Sequence, residues 1–488
     1  MDNLDTDTEK RYRQGLGMHG DDNKPKSPLG LNSSRKQTGD KLVYTQKITE
    51  RDAIAIRRML RKGPAVRKLV IRRISLRYFK LAFDDLDECP SLKDVLLEIE
   101  CRNMDFGTTL TGVFRNLHSL DVRCDNAGSG FAGTIASYIR QNKSLRRLCI
   151  GNSCGGDKGA ATLVEALKGN DTLKKFTLLT MQLSSDTLVG FAEMLTSNST
   201  IELVDLRGVC PVEKDNISPL LEDELYDAAF KRLRIVWPQQ LLPELTVLVR
   251  RQACCHVTTV NVTSSVDEAA LREFFDAAAA TPTLDSLEFD SEDDTFDELA
   301  IGIASLVECT TTLRHISSNM CVNCGTAHQL LAILDALKVN RSITTFKMCA
   351  ESVTPQIAKC LSELLAVNNK LTCVTVCDDA VISPKAAESI LPGLRINYTL
   401  TKLTVSSDPT NSEAAQELET LLERNIRLEK KAAEFVVCGA DVSEQEGVDA
   451  LTKLHSSVGL AKRVRKLTGK TKEEALQEIH TALARLCA

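Results

Sequence analysis

The sequence predicts a curved α/β solenoid, in which strand–helix units stack side by side around a common core. A phrase made of an apolar residue, an asparagine three residues later and another apolar residue three further on returns about every 28 residues. A fixed period of this length is typical of stacked repeats. Most of these phrases run into a short strand pattern, L-x-x-L-x-L. The phrase occurs as Ile139-Asn142-Leu145, Leu167-Asn170-Leu173, Leu195-Asn198-Ile201, Leu337-Asn340-Ile343, Leu365-Asn368-Leu371, Leu394-Asn397-Leu400 and Leu422-Asn425-Leu428.

Each part of the phrase predicts a piece of local structure. The first apolar residue falls in the last turn of a helix. The asparagine suits the position just past the helix, where a left-handed backbone is common and Asn is second only to Gly. The closing Leu or Ile opens a strand, so helix and strand alternate. Parallel strands then form the concave sheet of a horseshoe, and helices cover its convex side.

The strand-opening residues divide the chain into about 13 units. Their spacings are 25 to 30 residues, and the asparagine is replaced by Thr281 and Thr310 in the middle of the array. The predicted strand openers are Val66, Leu92, Leu117, Leu145, Leu173, Ile201, Phe230, Val257, Leu284, Leu313, Ile343, Leu371 and Leu400.

These units resemble the long leucine-rich repeats of ribonuclease inhibitor and of the sensor regions of NOD-like receptors, over roughly residues 50–430. The resemblance implies the horseshoe fold and a surface that binds another macromolecule. It includes no nucleotide-binding domain, and it leaves the partner and any link to innate immunity unspecified. One family feature is missing, because the strand-end Asn or Cys is replaced by Asp125, Ser153, Met181 and Asp408.

Two segments of different character flank the predicted array of residues 46–430. Residues 1–45 are polar and have no apolar period, which is typical of a disordered leader. Residues 431–488 lack the strand pattern and contain two helix-starting capping boxes, Ser443-x-x-Glu446 and Thr471-x-x-Glu474. We expect a helical C-terminal cap there, because a solenoid needs a polar-backed end. A small helical module with its own partner is the alternative.

Composition indicates the compartment and the general class of partner. Seventeen cysteines, an odd number scattered singly, favour a reducing cytoplasmic or nuclear environment without structural disulfides. No stretch is long and apolar enough to cross a membrane, and the polar N-terminus lacks a signal peptide's apolar run. The net charge of −5 gives no general attraction to nucleic acid or to anionic membranes. Residues 57–80, with ten Lys or Arg and no acid, keep a nucleic-acid contact open.

Motifs for catalysis or cofactor binding are weak. The Gly-Lys-Thr at 469–471 has Val464 where a phosphate-binding loop needs its first glycine. Cys321 and Cys324 have the spacing of zinc ligands, with two histidines nearby, but no second pair of this kind occurs. Free thiols are the simpler interpretation. No recognisable catalytic set is present, so we expect a protein that is not an enzyme and needs no cofactor or metal.

The candidate partner-binding residues lie on the predicted concave face. Strand side chains alternate, so the third, fifth and seventh positions of each unit point away from the core. Basic residues cluster near the middle of the array and acidic residues follow, which suits an acidic or bipolar protein partner. An ordinary solvated surface of mixed charge is the alternative. The candidates are Arg123, Arg147, Lys175, Arg207, Arg232, Arg234, Glu288 and Asp290.

Three function classes follow from this sequence. The first is a non-enzymatic scaffold or sensor that binds a protein on its concave face. The second is a substrate adaptor of a ubiquitin ligase, although residues 41–65 are too short for the helical module that adaptors carry before their repeats. The third is an enzyme inhibitor like ribonuclease inhibitor, for which the basic cluster disfavours a basic target.

Overall fold

The structure is a computed structural model. It describes residues 35–62, 66–84, 86, 89–100, 110, 112–124, 128–151, 155–179, 183–206, 217–263, 265–290, 297–322, 327–350, 352–376, 382–404, 413–439 and 443–487. The chain forms two compact units, one of residues 1–101 and 108–123 and one of residues 102–107 and 124–488. Both have the α/β architecture of leucine-rich-repeat solenoids, in which mostly parallel strands alternate with helices.

The first unit is a sheet whose strands follow the order β1-β2-β3-β4-β5. β1 and β2 are antiparallel, and β2, β3 and β4 are parallel. The elements are β1 (Arg35–Thr38), β2 (Lys41–Tyr44), α1 (Glu50–Lys62), β3 (Lys68–Ser75), α2 (Leu76–Phe83), β4 (Asp94–Glu100) and β5 (Ser119–Cys124).

The sheet begins earlier than the predicted array boundary at residue 46. β1 and β2 lie inside the segment that was predicted to be a disordered leader, of which residues 1–34 lie outside the described part of the chain. Leu42 and Tyr44 alternate with more exposed neighbours and are buried, because β2 pairs with β3 along Leu69 and Ile71. Two apolar positions form too short a pattern to predict a strand from sequence.

The second unit contains two parallel sheets, with orders β6-β7-β8-β9 and β10 through β16. The strands are β6 (Arg147–Gly151), β7 (Lys175–Leu179), β8 (Leu203–Asp205), β9 (Leu233–Arg234), β10 (Val236–Pro238), β11 (Val257–Asn261), β12 (Ser286–Asp290), β13 (His315–Val322), β14 (Thr345–Ala350), β15 (Cys373–Thr375) and β16 (Lys402–Thr404). The helices are α3 (Gly128–Gln141), α4 (Gly156–Lys168), α5 (Ser185–Ser197), α6 (Ser218–Glu222), α7 (Asp227–Phe230), α8 (Leu242–Arg250), α9 (Glu268–Ala280), α10 (Asp297–Cys309), α11 (Ala327–Val339), α12 (Pro355–Val367), α13 (Pro384–Ile396), α14 (Glu413–Val437), α15 (Gln445–Leu454), α16 (Val458–Thr468) and α17 (Lys472–Cys487).

The two sheets of the second unit meet at a break in strand register. β9 pairs in parallel with the preceding strand β8, and Arg234 faces Asp205 in that register. β10 starts one residue after β9 ends, beyond Ile235. It pairs in parallel with the following strand β11, and Val236 faces Thr259 in that register. These pairings differ by two residues, so the next unit starts two residues earlier than predicted. Val257 faces Ser286, which makes it a third-position residue rather than a strand opener.

The repeated asparagines form a ladder of side-chain hydrogen bonds between successive units. The Asn198 amide donates to the main-chain oxygens of Leu167 (2.7 Å) and Asn170 (2.9 Å). Its Oδ1 accepts from the main-chain NH of Ile201 at 3.0 Å. The prediction of a left-handed backbone is wrong, because Asn198 has φ −98° and ψ 110°. The residue is used for its amide, which is at once a donor and an acceptor.

The C-terminal helices share a separate hydrophobic core. The second half of α14 supplies Ala432, Phe435 and Val436, and helices α15, α16 and α17 pack against it. Thr471 and Glu474 form the predicted capping box, with Thr471 N donating to Glu474 Oε2 at 2.7 Å and Glu474 N to Thr471 Oγ1 at 3.2 Å. The predicted helices are present, and their role as a cap stays a prediction. Within the described residues, no helix is long and apolar enough to cross a membrane.

Candidate strand-face binding site

The side chains of β6 and β7 alternate between buried and accessible. Leu148 and Ile150 are buried, and Arg147 lies on the opposite side of the strand. Arg147 faces Lys175 in the register of β6 and β7, and both side chains are exposed. Within the described residues, neither has a carboxylate at ion-pair distance. We call Arg147 and Lys175 the basic pair, and their placement on the exposed strand face agrees with the prediction.

Arg234 lies at the register break and is paired with two acids rather than presented to solvent. It is only 8% exposed. Its Nη2 lies 2.6 Å from Glu288 Oε2, and its Nη1 lies 3.9 Å from Asp205 Oδ2. Thr259 Oγ1 donates to the same Glu288 oxygen at 2.9 Å. Two candidates from the predicted basic and acidic halves therefore form one ion pair. The flanking Leu233 and Ile235 are the buried core residues, so Arg234 points off the core as predicted, but it is covered by its acidic partners and not exposed to solvent.

The Arg232 guanidinium is also not available on the predicted docking face, because it is bonded to main-chain oxygens. Its Nη1 donates to the main-chain oxygens of Asn198 (2.7 Å) and Ile201 (2.9 Å), and its Nη2 donates to that of Leu195. Burial lowers the pKa of this guanidinium below its ordinary value. Arg232 therefore continues the asparagine ladder, because α7 (Asp227–Phe230) is a single short turn and no asparagine follows it.

The remaining candidates occupy separate environments. Arg123, in the first unit, lies 3.3 Å from Asp121 and 3.9 Å from Glu98. Asp290 ends β12 and is half-buried, and most of the acidic run that follows it lies outside the described residues. Arg207 also lies outside them.

Sequence reasoning missed Asp205 and Thr259, which complete the surroundings of Arg234 and Glu288. Asp205 is 4% exposed and occupies the fifth position of its strand, where an exposed residue is expected. The sequence does contain a signal for this contact. Asp205 and Arg234 occupy the fifth position of successive units, so a carboxylate and an arginine are expected side by side. The register break that brings Glu288 to them has no comparable sequence signal.

The zinc hypothesis is not tested by the structure. Cys324 and the side chain of Cys321 lie outside the described residues. His315, at the start of β13, has Nε2 3.9 Å from Asp285 Oδ2, and burial lowers its pKa. His328 lies on α11. No group of three metal-binding side chains occurs among the residues that the structure describes.

Comparison with known proteins gives a likeness in structure. No family model matches this chain, and no curated protein matches it. Solved structures do match, among them the tropomodulin C-terminal domain from Caenorhabditis elegans. The two chains share 18% sequence identity, with a TM-score of 0.24, and the match covers 38% of this chain and 96% of that domain. The assignment to the leucine-rich-repeat class rests on the strand order and the asparagine ladder described above.

Proposed function

We propose that this chain is a non-enzymatic scaffold or sensor that binds a protein partner on the strand face of its second unit. The observation that carries the proposal is the basic pair. Adjacent strands lie about 4.8 Å apart, so two like charges in register are close together. Their mutual repulsion opposes folding unless counterions or an acidic partner offset it.

The surroundings of the basic pair support contact with a macromolecule. Cys149 and Thr177 face each other on the same strands and are half-exposed, and Leu203 adds an apolar side chain next to Lys175. Stacked repeats generally bind other macromolecules through extended surfaces of this kind. An acidic partner segment would meet two cations and a small apolar area here. We propose cytoplasm or nucleus as the compartment, on the cysteine usage given above.

The test is affinity capture with the full chain, followed by identification of the bound proteins. The variant Arg147→Glu/Lys175→Glu reverses the basic pair. Lys158→Glu/Arg272→Glu is the matched control, because both residues are exposed on helices of the same unit and take part in no ion pair within the described residues. We expect the first variant to lose the partner and the control to retain it.

Salt dependence provides an independent readout. If the basic pair contacts an acidic partner, its reversal should flatten the decrease of affinity with ionic strength. Capture by both variants at wild-type strength would contradict the proposal. Recovery of ubiquitin-ligase subunits, or of an enzyme that the chain inhibits, would instead favour the adaptor or the inhibitor role.

A further inference from the structure

A surface groove of about 440 Å³ lies between α10 and α11. Alanines 304, 332 and 336 line it, together with Ile301 near the start of α10 and Val339 at the end of α11. These two side chains are 67% and 59% exposed, which makes them two of the largest accessible apolar surfaces in the described chain. The groove is formed by helices and is therefore separate from the strand face.

The polar edge of the groove is acidic. Glu308 and Asp335 line it together with Ser305, and no cation is part of the lining. Hydrogen bonding from Lys338 lowers the pKa of Asp335, so this carboxylate is ionised at neutral pH. Glu308 has no cation at ion-pair distance among the residues that the structure describes. The groove therefore combines an apolar floor with an unmatched negative charge.

The length of the groove suits a helix. Ile301 precedes the end of α10 by eight residues, and Val339 is the last residue of α11. At about 1.5 Å per residue, Ile301 and Val339 lie on the order of 12 Å apart along the helix direction. This distance corresponds to apolar side chains at positions i, i+4 and i+7 of an amphipathic helix, the usual pattern of helix-in-groove recognition.

We propose that the groove binds an amphipathic helix of a protein partner, whose apolar face covers Ile301 and Val339 and whose Lys or Arg pairs with Glu308. Charge complementarity selects this occupant, because an acidic or neutral helix would leave the Glu308 carboxylate unmatched beside an apolar contact.

An exposed apolar residue before the ladder asparagine is a feature of the later units of the array, and not of every unit. Val339 directly precedes ladder residue Asn340. The corresponding residues are Gln141, Gly169 and Ser197 in earlier units and the exposed apolar Val367 and Ile396 in the next two units. A second groove, between α8 and α9, has Arg250, Gln252 and Asp276 in its lining. Polar or small residues are thus compatible with the same repeat geometry, so packing alone does not require Val339.

The experiment uses two labelled model helices and the full chain. Both peptides carry leucines at i, i+4 and i+7, and one has lysines and the other glutamates on the polar face. Fluorescence anisotropy measures their binding to the wild type and to Ile301→Ser/Val339→Ser and Glu308→Gln. The control is Val367→Ser/Ile396→Ser, which removes two apolar side chains of 53% and 59% exposure outside the groove.

We expect the basic peptide to bind the wild type and the control, and the groove variants to weaken it by about tenfold or more. The acidic peptide should bind at least about tenfold more weakly than the basic one. Equal binding of the basic peptide to groove variants and control would overturn the proposal. A concentration-dependent dimer that Ile301→Ser/Val339→Ser abolishes would also overturn it, since the groove would then accommodate a second copy. Because Arg147 and Lys175 remain unchanged in these variants, the outcome does not depend on the strand-face proposal.

Discussion

The Arg232 guanidinium lies 2.7 Å from the main-chain oxygen of Asn198, so an arginine takes the place that an asparagine amide has in the regular units. One unit earlier, Asn198 makes the equivalent contact to the oxygen of Asn170 at 2.9 Å. The longer side chain reaches back from the start of the strand region to three carbonyl groups at the end of α5 and beyond. The ladder thereby passes through a unit whose helix is too short to present an asparagine.

Replacement of Arg232 should therefore destabilise the fold. We expect Arg232→Ala to lower the free energy of unfolding by about 2–4 kcal/mol, because the main-chain oxygens of Asn198, Ile201 and Leu195, and that of Ala228, lose a donor. Urea denaturation followed by circular dichroism measures the shift in midpoint. Arg147→Ala, an exposed arginine in the same unit, serves as control and should change stability by no more than about 0.5 kcal/mol. Equal midpoints for both variants would show that Arg232 has no structural role.

A ladder asparagine should tolerate no change of its amide. Asn368 is 1% exposed. Its Nδ2 donates to Leu337 O at 2.7 Å, and its Oδ1 accepts from Leu371 N at 3.0 Å. Asn368→Asp keeps the size but places an acceptor against carbonyl oxygens, so we expect a loss of about 3 kcal/mol or more. Asn369, the exposed neighbour, provides the control. Asn369→Asp should leave the free energy of unfolding nearly unchanged. Thermal unfolding distinguishes the two, and comparable melting temperatures would contradict the ladder.

Gly393 permits the closest approach between α12 and α13. A Cβ at this position would lie 2.0 Å from the main-chain oxygen of Ser362. The main-chain NH of Gly393 donates to Ser362 Oγ at 2.9 Å. Gly393→Ala should cost about 1–3 kcal/mol by overpacking. Gly133→Ala in α3 meets nothing within 4 Å and should stabilise by about 0.5–1 kcal/mol through helix propensity. Opposite signs in denaturant midpoints are the expected result.

Thiol reactivity should follow burial. Burial raises the pKa of Cys254 to about 11, so its reactive thiolate is scarce at pH 8 and increases only as the pH approaches 11. Cys309 and Cys438 are exposed. Timed alkylation without reductant, read by mass spectrometry, should label these two first and Cys254 only after denaturation. Recovery of fixed disulfide bridges would contradict the expected reducing compartment.

The fold was predictable where the same residue type makes the same hydrogen bonds in every unit. In each regular unit the ladder asparagine accepts a hydrogen bond at Oδ1 from the main-chain NH three residues later, so the spacing of the asparagines marks the units. Examples are Asn142, Asn170, Asn340 and Asn397. Prediction of the backbone conformation failed, because Asn is favoured both by left-handed turns and by such side-chain bonds, and the sequence pattern is the same for both.

The middle of the array was harder to predict, because other side chains replace the ladder asparagine. Thr281 Oγ1 donates to Val249 O at 3.1 Å, and Arg232 uses a guanidinium. The candidate site was affected for the same reason. Arg147 and Lys175 belong to regular units and are exposed as predicted, whereas Arg234 lies beside a two-residue register break that only tertiary structure reveals.

The ion pair between buried Arg234 and partly exposed Glu288 provides the final prediction. Strand alternation alone places Arg232 and Arg234 off the core, where reversal to Glu would leave the fold intact. The contacts predict the opposite, because Arg234→Glu would place a third carboxylate beside Glu288 and Asp205. Removal of one partner from a fully buried pair costs about 3–5 kcal/mol, because the remaining charge is left uncompensated. The Glu288 side chain is 31% exposed, so the loss here should be smaller.

A double-mutant cycle separates this pairing from simple loss of packing. Arg234→Met and Glu288→Gln should each destabilise, and the double variant should be more stable than the sum of the two losses implies, by about 1–3 kcal/mol. Arg250→Met and Glu273→Gln form the matched control cycle, because Arg250 and Glu273 are 2.7 Å apart but half-exposed on neighbouring helices. Their coupling should stay within about 1 kcal/mol. Additive losses in the Arg234 cycle would show that the two sheets meet without help from this ion pair.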